Sequence, residues 1–208
     1  MIAKGKFHWV LEPLALGIIF TLVSVGGKSY TVYIIANLFF GLAVLMILIF
    51  RDPPRDIGKG AVSPIDGRIL HVDKTLNSVT IRAGLLHVKV ARSPVSGTVL
   101  DVEEFRGRYP DSGKKGEGVV TRIATRFGTV RVIKSTRLRY TKVAPYGWSK
   151  RRLRKGQRIA GIYPVAYVSV EFPRRIQITV AEGQKVVGGV STIARPVDLR
   201  TLRNHNTK

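Results

Sequence analysis

Ser63-Pro64-Ile65-Asp66-Gly67-Arg68-Ile69-Leu70-His71-Val72 returns thirty residues later as Ser93-Pro94-Val95-Ser96-Gly97-Thr98-Val99-Leu100-Asp101-Val102. Each copy is a proline turn, a glycine suited to positive φ, and a run that reads as a strand. Around this pair, short β-branched runs alternate with Gly and Pro: Ser78–Arg82, Leu86–Val90, Gly97–Val102, Val119–Thr125, Thr129–Lys134, Ala166–Phe172 and Arg175–Val180. No long helical period interrupts them. The expectation is an all-β sandwich or barrel over residues 51–208. The Gly-rich, charged stretch 106–118 reads as a mobile loop.

A second echo pairs Lys155-Gly156-Gln157-Arg158-Ile159-Ala160-Gly161 with Glu182-Gly183-Gln184-Lys185-Val186-Val187-Gly188. Such turns resemble those of lipoyl- and biotinyl-type β-sandwiches, in which a lysine between two methionines carries the cofactor. Only Met1 and Met46 are present, so the echo supports a lipoyl-like fold and not a carrier role.

The 208 residues hold 35 Lys+Arg against 13 Asp+Glu, a net charge of +22, yet the mean hydropathy is +0.09. The two figures coexist because charge and apolarity are segregated. Residues 1–50 carry only Lys4, Lys6, Lys28 and Glu12; the remaining net charge of +20 lies in 51–208. Tyr30 to Phe50 is 21 residues without a charge, enough to span hydrocarbon. A weaker apolar stretch covers about 9–26. A signal peptide would also explain the basic start, but no small-residue cleavage site follows and a second apolar span comes at once. The reading is a two-helix transmembrane hairpin, with spans near 9–26 and 30–50 and the β domain behind it. Basic flanks on both sides place both termini in the cytoplasm, against the cell membrane. Zero cysteines exclude disulfides and thiolate chemistry, and four histidines leave little for a metal site, so no metal is expected.

Four pieces, in order, resemble the short prokaryotic form of phosphatidylserine decarboxylase, including archaeal relatives acting on archaetidylserine. They are Phe50-Arg51-Asp52-Pro53-Pro54-Arg55, Val62-Ser63-Pro64-Ile65-Asp66-Gly67, Arg92-Ser93-Pro94-Val95-Ser96-Gly97-Thr98-Val99, and Lys155-Gly156-Gln157-Arg158-Ile159 through Val170-Glu171-Phe172-Pro173. The resemblance implies a β-sandwich and a catalytic group made by self-cleavage of a Gly-Ser bond. There the serine becomes a pyruvoyl that takes up the substrate amine and acts as electron sink for loss of CO2. It also implies an Asp and a His that assist cleavage.

Asp66 stands at the family's Asp position. The His position is Lys89, with His87 two residues earlier, about 6–7 Å along a strand on the same face. The Gly-Ser pair has become Val165-Ala166. Alanine has no hydroxyl, and valine is stiff where glycine permits a strained turn. Ser169 and Ser191 are the alternative serines. Asp66 and His87 are thus the candidate catalytic residues, and a pyruvoyl cofactor is expected only if an unaligned serine is processed. Bland alternatives stand beside them: Asp before Gly is ordinary turn chemistry, and a strand His can simply face solvent.

Lys150-Arg151-Arg152-Leu153-Arg154-Lys155-Gly156-Gln157-Arg158 concentrates six cations in nine residues. Arg131, Lys134, Arg137, Arg139 and Lys142 precede it at near-alternate spacing, so that several could share a strand face. Near an anionic bilayer each such cation is worth ~1 kcal/mol. Arg51, Arg55, Lys150, Arg151, Arg152 and Arg154 are therefore the expected lipid-surface residues, and an anionic phospholipid membrane the expected partner. Nucleic acid is the rival polyanion, but no recognition helix, zinc finger or aromatic RNA-binding motif is present. A second copy of the chain or a companion lipid-synthesis enzyme are further partner expectations. Three functions follow: a family member that binds or acts on anionic phospholipid without decarboxylating it; a divergent active decarboxylase making ethanolamine lipids; and a membrane-tethered nucleic-acid-binding protein.

Overall fold

The computed structural model describes residues 7–84, 87, 88, 90–108, 115–136, 151–161 and 166–197. The chain divides into two compact units, Met1–Pro54 and Arg55–Lys208.

The first unit contains α1 (His8–Gly27) and α2 (Tyr30–Ile49), each of 20 residues. At 1.5 Å per residue each is about 30 Å long, and both are long and apolar enough to cross a membrane. Gly26-Gly27 ends α1, and Lys28 turns the chain in the left-handed conformation (φ 47°). The helices meet where Gly17 leaves room for the Phe40 ring, which a Cβ would approach to 3.0 Å. Phe20 stacks on Phe39 with ring centroids 5.5 Å apart. The opposite faces expose Leu22, Val25 and Leu38. That is costly surface in water and ordinary surface in lipid.

The second unit is built of β1 (Ala61–Val62), β2 (Gly67–Asp73), β3 (Ser78–Arg82), β4 (Val90–Arg92), β5 (Gly97–Arg108), β6 (Lys115–Thr125), β7 (Gly128–Thr136), β8 (Arg152–Leu153), β9 (Arg158–Gly161), β10 (Ala166–Glu171), β11 (Ile176–Ile178), β12 (Lys185–Val186) and β13 (Thr192–Pro196). An antiparallel sheet runs β12-β2-β3-β10-β7-β6-β5-β8, beside smaller sheets β1-β13-β11 and β4-β9. It curls round one core in which Ile65, Ile69, Ile81, Val99, Ile123, Val132, Val168 and Ile193 are buried. Strand alternation sends these β-branched side chains inward and most of the charges outward.

The 63–72 and 93–102 echo is a structural repeat. Val62 N–H donates to the Pro94 carbonyl (2.9 Å) and Arg92 N–H to the Pro64 carbonyl (2.8 Å), so the two proline turns hold each other. In each, the serine hydroxyl (Ser63, Ser93) donates to the carbonyl two residues on, at 2.7 Å. Gly67 pairs with Val186 and Gly97 with Leu153. Neither glycine has positive φ, contrary to expectation. They are needed for close approach: a Cβ on Gly67 would lie 2.2 Å from the Arg82 carbonyl oxygen, and one on Gly97 2.2 Å from that of Ala124.

The second echo is shifted. Gly156 N–H donates to the Ser93 carbonyl as Gly189 N–H does to that of Ser63, and both glycines have positive φ (76° and 81°). Lys155-Gly156 is thus the counterpart of Gly188-Gly189, not of Glu182-Gly183. What Gln157 and Gln184 share is local: each side-chain oxygen accepts the N–H three residues earlier.

Two further expectations change. Much of 106–118 is strand, since β5 and β6 stay paired from Thr98↔Ala124 to Arg108↔Lys115, leaving 109–114 outside the described residues. Of the expected strand 86–90, Leu86 and Lys89 lie outside the described residues, His87 N–H closes a turn onto the Gly84 carbonyl, and Val90 opens β4.

Candidate functional site around Asp66

Asp66 ends the first proline turn, just before β2. Arg55, at the start of the β unit, donates through Nη1 to Oδ1 and through Nη2 to Oδ2, the latter at 2.8 Å. The same Nη1 donates to the Gly188 carbonyl at 2.7 Å, and Gly188 N–H donates to Oδ1 at 2.7 Å. Both side chains are largely buried, at 9% and 14% exposure. Burial pushes the Asp66 carboxyl up, but the Arg55 hydrogen bonds and charge, with the N–H groups of Gly188 and Val88, outweigh it and hold the group below 3.8. Asp66 is an ionised anchor tying three segments together. Its carboxylate oxygens are already occupied, which disfavours it as a base in this state.

Register places Arg68, Arg82 and Tyr167 on one rung of β2, β3 and β10. Asp66 and Ala166, just beyond that rung, therefore share one end of the sheet. His87 lies in the loop whose Val88 N–H reaches Asp66. Its ring is exposed, and Nδ1 accepts from Gly84 N–H at 2.9 Å. Lys89 and Val165 lie outside the described residues. Ala166 opens β10 opposite Thr136.

Lys134 was not singled out from sequence as a site residue. It lies opposite Val168 and Val119, two rungs in from Ala166, and is 2% exposed. Burial pushes its ammonium down to about 8. The signal was a lysine continuing the inward alternation of Val130 and Val132. Arg131 has the opposite parity, and its Nη1 donates to Glu171 at 2.5 Å. These two cations do not share a face.

The alternative serines are both engaged. Ser169 sits in the ladder between Thr80 and Ile133, its hydroxyl 2.9 Å from that of Thr80. Ser191 Oγ accepts from Val187 N–H at 2.9 Å, and its carbonyl accepts from Ser63 N–H. Ser191 is thereby in the loop that carries Gly188 to Asp66. No Gly-Ser dipeptide occurs anywhere in the sequence. Residue 166, which the resemblance sets at the family's cleavage position, is alanine and has no hydroxyl to convert to a pyruvoyl group.

Of the expected lipid-surface residues, Arg55 is folded onto Asp66. Arg51 is exposed in the first unit, and Arg151, Arg152 and Arg154 are exposed around β8. Lys150 lies outside the described residues. No group of three or more metal-ligating side chains occurs among the described residues.

The family model for Phosphatidylserine decarboxylase matches residues 42–194. A phosphatidylserine decarboxylase proenzyme of Streptomyces coelicolor is 30% identical over 93% of this chain and 92% of its own length. One of Streptomyces avermitilis is 31% identical over 93% of each chain. A Methanosarcina mazei protein, provisionally named an archaetidylserine decarboxylase proenzyme, is 28% identical over 93% of this chain and 96% of its own. No solved structure gives a significant match.

Proposed function

The chain belongs to the phosphatidylserine decarboxylase family, and on that premise we propose that it binds anionic phospholipid without forming the pyruvoyl group or releasing CO2. Val165-Ala166 at the cleavage position carries this reading: with no hydroxyl there is no nucleophile for the backbone bond. The engaged hydroxyls of Ser169 and Ser191 support it. The retained parts are those of a lipid-facing protein: two apolar helices and a β domain carrying most of the +22 charge. The hairpin holds the β domain at the cytoplasmic leaflet, where basic residues meet anionic headgroups.

The test is incubation of the full chain with phosphatidylserine-containing vesicles, following both co-sedimentation and CO2 release. Binding without CO2 is expected; catalytic CO2 release refutes the reading. An active decarboxylase using another serine is the second reading. It is favoured by the names of the relatives and by Ser191 lying in the loop that reaches Asp66. CO2 release that disappears in Ser191→Ala would establish it.

A further inference from the structure

The two proline turns are built alike, but their fourth positions differ. At Asp66 a carboxylate accepts Gly188 N–H and neutralises Arg55. At the counterpart, Ser96 Oγ accepts Lys155 N–H at 2.9 Å. The hydrogen-bond geometry is kept and the negative charge is gone. Beside Ser96 a groove of about 860 Å³ is lined by Ser96, Gly97 and Thr98, by the β6–β7 turn, and by Arg126, Arg152 and Lys155. Among the described residues no Asp or Glu lines it. Arg195 flanks it through Pro196, another lining residue. Lys155 Nζ donates to the Gly58 carbonyl and the Arg126 guanidinium lies 4.6 Å over the Phe127 ring, so both cations are held in place by neutral groups. Val95, Phe127, Ile176 and Pro196 give the groove an apolar side.

We propose that this groove binds the phosphate of an anionic phospholipid headgroup, which supplies the negative charge that Asp66 supplies in the equivalent turn. A phosphate ester with an apolar stem matches the wall of cations beside an apolar strip; free phosphate would leave the strip unused. The groove lies at the Ala124–Gly97 end of the sheet, away from the Asp66–Ala166 end. The site deepens the phospholipid-binding reading of the previous section and rests on it.

Full-length protein in detergent is titrated with dihexanoyl phosphatidylglycerol, dihexanoyl phosphatidylcholine and inorganic phosphate, and separately with anionic vesicles. The variants are Ser96→Asp, its neutral isostere Ser96→Asn, and Lys74→Gln, which changes net charge equally at an exposed site outside the groove. Ser96→Asp is expected to weaken phosphatidylglycerol binding about tenfold and more than Ser96→Asn does, with Lys74→Gln close to wild type. Wild type should favour phosphatidylglycerol over both phosphatidylcholine and phosphate. Should Ser96→Asp fail to fold, Arg126→Gln/Arg152→Gln is expected to show the same loss. Equal weakening by Ser96→Asp and Lys74→Gln means diffuse attraction and overturns the site. Equal affinity for phosphate and phosphatidylglycerol overturns the lipid assignment. If wild type ignores anionic vesicles, the broader reading falls; if vesicles bind and the groove variants change nothing, only the groove falls.

Discussion

Arg55 grips Asp66 through both carboxylate oxygens while the Gly188 carbonyl accepts from the same guanidinium. An arginine assigned from sequence to the lipid surface is thus spent on holding the β domain's entry segment against the first proline turn and the Gly188 loop. Asp66, which the resemblance sets at the family's Asp position, has a structural task in this fold.

Removing one partner leaves the other largely buried and unpaired. Asp66→Asn or Arg55→Met should each cost about 3 kcal/mol. The double variant should cost less than the sum of the two. Denaturant unfolding of the solubilised chain measures this, and additive costs would show that the residues do not act as a pair.

The same pair sets an acid limit. Asp66 has its folded value lowered below 3.8, so its contribution is fully present above the unfolded value and is lost as pH falls through the folded one. Melting followed from pH 6 downward should show wild type losing stability below about pH 4. The wild-type advantage over Asp66→Asn should narrow as it does so.

Lys134 has the opposite sign. Its ammonium titrates near 8 when folded and near 10.5 when unfolded. Between those values the unfolded chain holds more protons, so stability rises with pH across this window. The two values differ by about 3 kcal/mol. Lys134→Met should be more stable than wild type at pH 7 and should lack most of this rise. Comparing the two variants separates the effect from the falling net charge of both. Equal slopes would place the amine in water.

On the proposed reading, self-cleavage should be partly recoverable by sequence. Ala166→Ser alone leaves stiff Val165 before the hydroxyl and Lys89 at the His position, and should remain uncut. Val165→Gly/Ala166→Ser/Lys89→His restores all three family residues beside an intact Asp66. Slow cleavage at 165–166 is expected on a denaturing gel.

The repeat was legible because Ser-Pro-x-x-Gly must recur where two turns interlock, and its serines make equivalent bonds. The helices were legible because apolar runs of that length have few other homes. The second echo misled because Gly-Gln turns look alike locally, whereas equivalence is set by which carbonyl the glycine N–H reaches, here those of Ser63 and Ser93. Segment 106–118 misled because glycine and lysine suit a loop tip and an exposed hairpin equally well. Within the site, Asp66 was legible by motif. Arg55, eleven residues earlier, and Gly188, more than a hundred later, were not, since nothing local ties them to it. Lys134 was hidden among neighbouring cations whose faces only the sheet register separates.

The proposed absence of self-cleavage is tested most directly by the intact mass of the freshly purified full-length chain. One species of 23.0 kDa with an ordinary N-terminus is expected. Two fragments, the smaller blocked by a pyruvoyl group at its N-terminus, would contradict it.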